Sequence, residues 1–151
     1  MEEQADYNFE ASILVVDDDK TTQKLLTSII NRNFPSLTLY CADNGLQGYE
    51  IFKRKHPDIV MADICMPVMD GVRMADNIRS LDLETKIIMF TAVSDSNVIL
   101  ETIDIGINHY LLKPFKIEKL ISSVQQCLRS VRLESKQRRA ALKRSRAKLD
   151  D

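Results

Sequence analysis

The feature that most constrains this chain is an alternation of short apolar, β-branched runs with segments of helical periodicity, repeated five times. Ser12–Val16 (SILVV) is apolar from Ile13 onward and stops abruptly at Asp17, Asp18 and Asp19. A continuous apolar run of this length, bounded by polar residues, reads as a strand buried on both faces. Leu37–Cys41, Asp58–Ala62, Lys86–Phe90 and His109–Leu112 read the same way. Between them lie segments with apolar residues at helical spacing. Asp19 caps a helix carrying Leu25, Leu26, Ile29 and Ile30, and Asp43-Asn44-Gly45 leads into one through Tyr49, Ile51 and Phe52 that ends before Pro57. Another runs through Val72, Ala75 and Ile78, and a fourth from near Asn97 to Ile105, stopping at Gly106. The last begins near Ile117. Short connections between alternating strands and helices dictate parallel strands, right-handed crossovers and helices on both sheet faces. The fold class is therefore α/β, a doubly wound five-stranded parallel sheet.

At 151 residues the chain accommodates one such domain and an appendage. The division shows in the charge. Residues 1–128 carry 12 Lys and Arg against 19 Asp and Glu, a net −7, whereas residues 129–151 carry 9 against 3, a net +6. We expect an N-terminal tail over 1–11, the αβ domain over 12–128, and a basic helical extension or linker over 129–151. No Gly or Pro interrupts residues 115–151, so the last helix is expected to run unbroken to the chain end. Steps of four and three from Ile117 pass through Ile121, Val124, Leu128 and Val131, then thin before Leu142 and Leu149, a weak heptad seam suited to pairing with a second copy. Asp150 and Asp151 suit a helix C-terminus poorly, which favours cations, so the natural chain is expected to continue, with this helix leading to an output domain. The tail lacks aromatic residues for stacking bases, and nucleic-acid binding is not expected. No apolar run reaches membrane-spanning length, and the acidic start is unlike a secretory leader. Cys41, Cys65 and Cys127 are scattered and odd in number, which argues against a disulfide framework and fits a reducing cytoplasm. Cys41 and Cys127 are expected to fill the core.

Ligands of open α/β sheets sit outside the carboxyl ends of the strands. There the first strand delivers Asp17 and Asp18, the third Asp63, the fourth Thr91 and the fifth Lys113. Three clustered carboxylates repel and call for a cation, and an oxygen-only donor set suits Mg²⁺. Lys113 and Thr91 supply a charge and a hydroxyl for phosphoryl oxygens. An Asp can itself be the nucleophile, giving an aspartyl phosphate. Asp19 is read as a cap, and Asp70 as part of an Asp-Gly turn. His56 and His109 are read as surface or strand-end residues.

The segments ILVVDDD, MADICMPVMDG, MFTA and HYLLKPF resemble, in order and spacing, the four signature segments of chemotaxis-regulator-like receiver domains of bacterial two-component signalling. The resemblance covers about residues 12–128. It implies a flavodoxin-like strand order 2-1-3-4-5, with Asp63 as phosphoacceptor and Mg²⁺ held by Asp17, Asp18, Asp63 and the backbone carbonyl of Cys65. It implies that Lys113 contacts the phosphoryl group ahead of a cis peptide to Pro114. Thr91 and Tyr110 would form a switch pair, Thr91 moving toward the phosphate and Tyr110 turning inward. The donor would be a sensor histidine kinase or a histidine phosphotransfer protein. Cys65 and Val93 stand where many relatives have polar residues flanking the path of an attacking water. A haloacid-dehalogenase-type phosphatase also forms an aspartyl phosphate on an α/β sheet, but needs a second Asp two residues on, and Asp63-Ile64-Cys65 lacks it. A pseudo-receiver, serving as an interaction module alone, would lack one or more site residues, and none is missing.

Overall fold

The structure, a computed structural model, describes residues 10–150, Val93 and Asp150 in backbone alone. Most of the expected N-terminal tail therefore lies outside the described residues, as does Asp151. Five strands, β1 (Ser12–Val16), β2 (Thr38–Ala42), β3 (Ile59–Asp63), β4 (Lys86–Thr91) and β5 (His109–Leu112), form one sheet in the order β2-β1-β3-β4-β5. Every pairing is parallel. The helices are α1 (Lys20–Asn33), α2 (Gly45–Lys55), α3 (Gly71–Leu81), α4 (Ser96–Glu101) and α5 (Ile117–Asp150).

Strand side chains alternate between faces, so a strand apolar at every position must be covered twice. Ile13, Val15, Met61, Ile88 and Phe90 pack with Leu26 and Ile30 of α1 and Leu120, Val124, Leu128 and Val131 of α5. Leu14, Val16, Val60, Ile87 and Met89 pack with Phe52 of α2 and Met74, Ala75 and Ile78 of α3. The three central strands are thus buried on both faces, which fixes their register and aligns their carboxyl ends.

The helix starts follow from their caps. Asp19 accepts from the Thr21 amide at 3.2 Å and the Thr22 hydroxyl at 2.6 Å, and Asn44 accepts from the Gln47 amide at 2.8 Å. Asp70 is also an N-cap, accepting from the Arg73 amide at 2.8 Å, rather than part of a turn, because α3 begins directly at Gly71.

Other expectations shift. β2 and β3 sit one residue later than their apolar runs indicate. Cys41 is exposed, since β2 is an edge strand, and Leu25 is half exposed on α1. The helix expected to run to Ile105 is broken into a 3₁₀ turn (Val93–Asp95), α4 and a second 3₁₀ turn (Ile103–Ile105). At the break the Thr102 hydroxyl turns back onto the Ile99 carbonyl at 2.7 Å, a local bond that competes with helix propagation. Gly106 ends this stretch in the left-handed conformation, φ 80°. α5 is one helix of 34 residues, roughly 50 Å long, with residues beyond Arg138 exposed as far as Leu149. No helix among the described residues is long and apolar enough to cross a membrane.

Candidate functional site

The carboxyl ends of β1, β3, β4 and β5 bring together the residues their sequence positions suggest. Oxygens of Asp17, Asp18 and Asp63 lie within 4.8 Å of one another. Asp17 is buried at 1% exposure, Asp18 is exposed and Asp63 is half-buried. Asp17 Oδ1 accepts from the Asp19 amide at 2.9 Å. Its Oδ2 is buried and has no hydrogen-bond partner among the described residues. Burial raises the Asp17 pKa above its ordinary value, opposed by the Asp19 amide and Lys113 and reinforced by Asp63 and Asp18. Asp19, in contrast, is held below the carboxylate range by the Thr22 hydroxyl and the Thr21 amide, as a cap should be.

Asp63 closes β3. Its Oδ1 accepts from the Cys65 amide at 3.2 Å, and its Oδ2 is bonded by the Lys113 ammonium. Burial opposes the charge on Lys113, but the hydrogen bond to Asp63 and the nearby Asp63, Asp17 and Asp18 charges outweigh it, so its pKa is raised. The Lys113 amide donates to the Thr91 carbonyl at 2.7 Å, tying the ends of β4 and β5 together. Thr91 is buried, and the peptide from Lys113 to Pro114 is cis. Cys65 is exposed, its thiol pKa pushed up by desolvation and by Asp95, Asp63 and Asp70, so it is no ready nucleophile. The side chain of Val93 lies outside the described residues. Tyr110 is 36% exposed, and its hydroxyl is bonded to Thr102 Oγ1.

Four contributors escape a reading of strand ends. Gln23, buried on α1, donates to the Asp17 and Ala42 carbonyls at 3.1 and 2.8 Å, clamping the ends of β1 and β2. A polar residue in step with Leu26 and Ile30 was its signal. Gly71 lies so close to the Asp63 carbonyl that a Cβ would come within 2.2 Å of it, and Gly45 stands in the same relation to Met69, at 2.1 Å. These two glycines hold the loop after Asp63 close to the sheet. Thr102 carries no sequence signal of its role.

The donor set fits a hard divalent cation. It consists of carboxylate oxygens, one of them buried and unpartnered, which a cation would satisfy and which protein groups do not.

Comparison with known proteins agrees with the geometry. The response regulator receiver domain family model matches residues 13–125. The regulatory protein AtoC of Escherichia coli is 34% identical over 117 residues, covering 77% of this chain and 25% of AtoC. The chemotaxis protein CheY of Bacillus subtilis is 30% identical over 116 residues, covering 77% of this chain and 96% of CheY. The chain therefore spans a quarter of one relative and nearly all of the other. The crystal structure of a two component transcriptional regulator AraC from Clostridium phytofermentans superposes with a TM-score of 0.74 at 28% identity, covering 84% of this chain and 98% of that one. Acidic cluster, fold and family match converge: this chain belongs to the response-regulator receiver domain family.

Proposed function

We propose that Asp63 accepts a phosphoryl group from a phosphohistidine on a sensor histidine kinase or histidine phosphotransfer protein, and that the chain relays the signal by changing its partner-binding or dimerisation face. The observation that carries this reading is the placement of the Lys113 ammonium on the Asp63 carboxylate, with Asp17 and Asp18 within 4.8 Å. A carboxylate oxygen of Asp63 attacks phosphorus, the phosphorus–nitrogen bond breaks, and its electron pair leaves with the imidazole. Lys113 accompanies a phosphoryl oxygen as charge builds on it, and Thr91 offers a hydroxyl to another. The residues that would hold Mg²⁺ are Asp17, Asp18, Asp63 and the carbonyl of Cys65; when bound, the ion neutralises charge on the phosphoryl oxygens.

Beside Lys113 an open hollow of about 620 Å³ is lined by Thr22, Leu25, Pro114, Phe115 and Ile117. Its exposed apolar side chains offer the donor a surface beside the acceptor. The chain catalyses the gain and loss of its own phosphoryl group and turns over no other substrate. The receiver occupies residues 12–128, and the helix running on through 129–150 pairs with a second copy and leads toward an output domain, in the cytoplasm. Incubation with acetyl phosphate and Mg²⁺ tests the reading. One phosphoryl adduct on Asp63 supports it, and an adduct on another residue would refute it.

A further inference from the structure

Tyr110 lies beside Met89 in the β4–β5 register, and Thr91 stands two residues beyond Met89. Side chains two apart on a strand share a face, so Tyr110 and Thr91 occupy the same side of the sheet. At the end of α4, Thr102 is fully buried at 0% exposure, and its hydroxyl bonds both the Ile99 carbonyl and the Tyr110 hydroxyl. A threonine hydroxyl has one proton and two lone pairs. With that proton committed to the Ile99 carbonyl, Tyr110 is the donor and Thr102 the acceptor.

The arrangement is specific. A buried hydroxyl whose proton is already placed is a fixed acceptor, and it meets the tip of a ring that is otherwise 36% exposed. Val in place of Thr102 would keep the shape and remove the acceptor. The break between α4 and the following 3₁₀ turn falls at this same residue, so the local bond to Ile99 both ends the helix and aims the acceptor at Tyr110.

We propose that Thr102 is a positioning residue for phosphorylation. It holds Tyr110 in the partly exposed position it occupies here and so opposes a turn of the ring toward Thr91. This rests on the phosphoacceptor reading of Asp63 and on the Thr91 and Tyr110 switch that the family resemblance implies. A net hydrogen bond of this kind biases a two-state equilibrium roughly 3- to 10-fold. A phosphoryl group that favours the inward state must work against that bias, and removal of the bond makes phosphorylation easier by the same factor.

The test uses the full chain labelled with 3-fluorotyrosine, the Tyr110 resonance being the one absent from Tyr110→Phe. Without a phosphodonor, Thr102→Val and Thr102→Ala should move that resonance toward its position in acetyl phosphate-treated wild type, while Thr102→Ser leaves it in place. With acetyl phosphate and Mg²⁺, Thr102→Val should form the Asp63 adduct about 3- to 10-fold more readily. An unmoved Tyr110 resonance in a Val or Ala variant that still melts cooperatively overturns the proposal, as does failure of Ser to restore the wild-type spectrum. Absence of any adduct on the wild-type chain would instead overturn the phosphoacceptor reading, and the unphosphorylated spectra would still decide whether Thr102 holds Tyr110.

Discussion

Glu134 on α5 accepts a 2.6 Å bond from the Lys86 ammonium at the start of β4, a pair whose side chains are 32% and 12% exposed. One turn later Arg138 pairs with Glu84, and Val131 is buried with the sheet. The first turns of the basic extension are thus fixed to the domain, and the free rod begins near Arg138. We predict that truncation after Arg138 leaves the melting temperature nearly unchanged and abolishes self-association in analytical ultracentrifugation, because Leu142 and Leu149 are removed. Truncation after Leu128 should cost about 3 kcal/mol, since it removes Val131 and leaves Lys86 without Glu134. Equal stability of the two truncations would refute the anchoring, and an intact chain that sediments as a monomer would refute the pairing.

Asp17 has an unpartnered buried oxygen and a pKa raised chiefly by burial. A carboxylate whose folded pKa lies above its unfolded value weakens the fold as pH rises from its ordinary 3.8 through the raised value. Asp17→Asn keeps an acceptor for the Asp19 amide and removes the charge. It should stabilise the metal-free protein at pH 7. It should also shrink the stabilisation that Mg²⁺ confers. Thermal melts with EDTA and with Mg²⁺ check both, and equal Mg²⁺ stabilisation of mutant and wild type would contradict the assignment.

Arg79 stitches two loops together through backbone carbonyls and the Asn108 side chain. Its guanidinium donates to the carbonyls of Ile105 at 3.1 Å and Gly106 at 2.8 Å, to the Asn108 side chain, and to the carbonyls of Asp82, Leu83 and Thr85. Arg79→Met should cost about 3 kcal/mol by stranding several acceptors at once. Chemical denaturation measures it, and a loss below about 1 kcal/mol would show that water replaces the guanidinium.

Loss of phosphate requires a water in line with the bond from Asp63 to phosphorus. The thiol of Cys65, with its raised pKa, is a weak hydrogen-bonding group for that water, and Val93 offers none. The phosphorylated state should therefore be long-lived, and Cys65→Asn combined with Val93→Glu should shorten it several-fold. Decay of the adduct followed by intact mass decides, and an unchanged half-life in the double variant would contradict the role of these positions.

What could be read from the residues, and what could not, divides along physical lines. The buried strands announce themselves because Ile13–Val16 and Ile87–Phe90 must be apolar on both faces. The site residues follow because Asp17, Asp63, Thr91 and Lys113 interrupt apolar runs at strand ends, where an open parallel sheet binds its ligands. Edge and loop detail is weaker in the sequence. Cys41 looks like core until β2 is known to be the outermost strand. The break at Thr102 depends on a side-chain bond back to Ile99 that helical periodicity does not encode. Gly71 and Gln23 act through backbone approach and buried carbonyls, relationships that exist only once α1, β1 and β3 are assembled.

The most direct measurement is the intact mass of the protein after incubation with acetyl phosphate and Mg²⁺, run beside Asp63→Asn and Lys113→Met. Wild type should gain one phosphoryl group, Asp63→Asn none, and Lys113→Met much less than wild type, with EDTA abolishing the gain in every case. An undiminished adduct in Asp63→Asn would contradict the account.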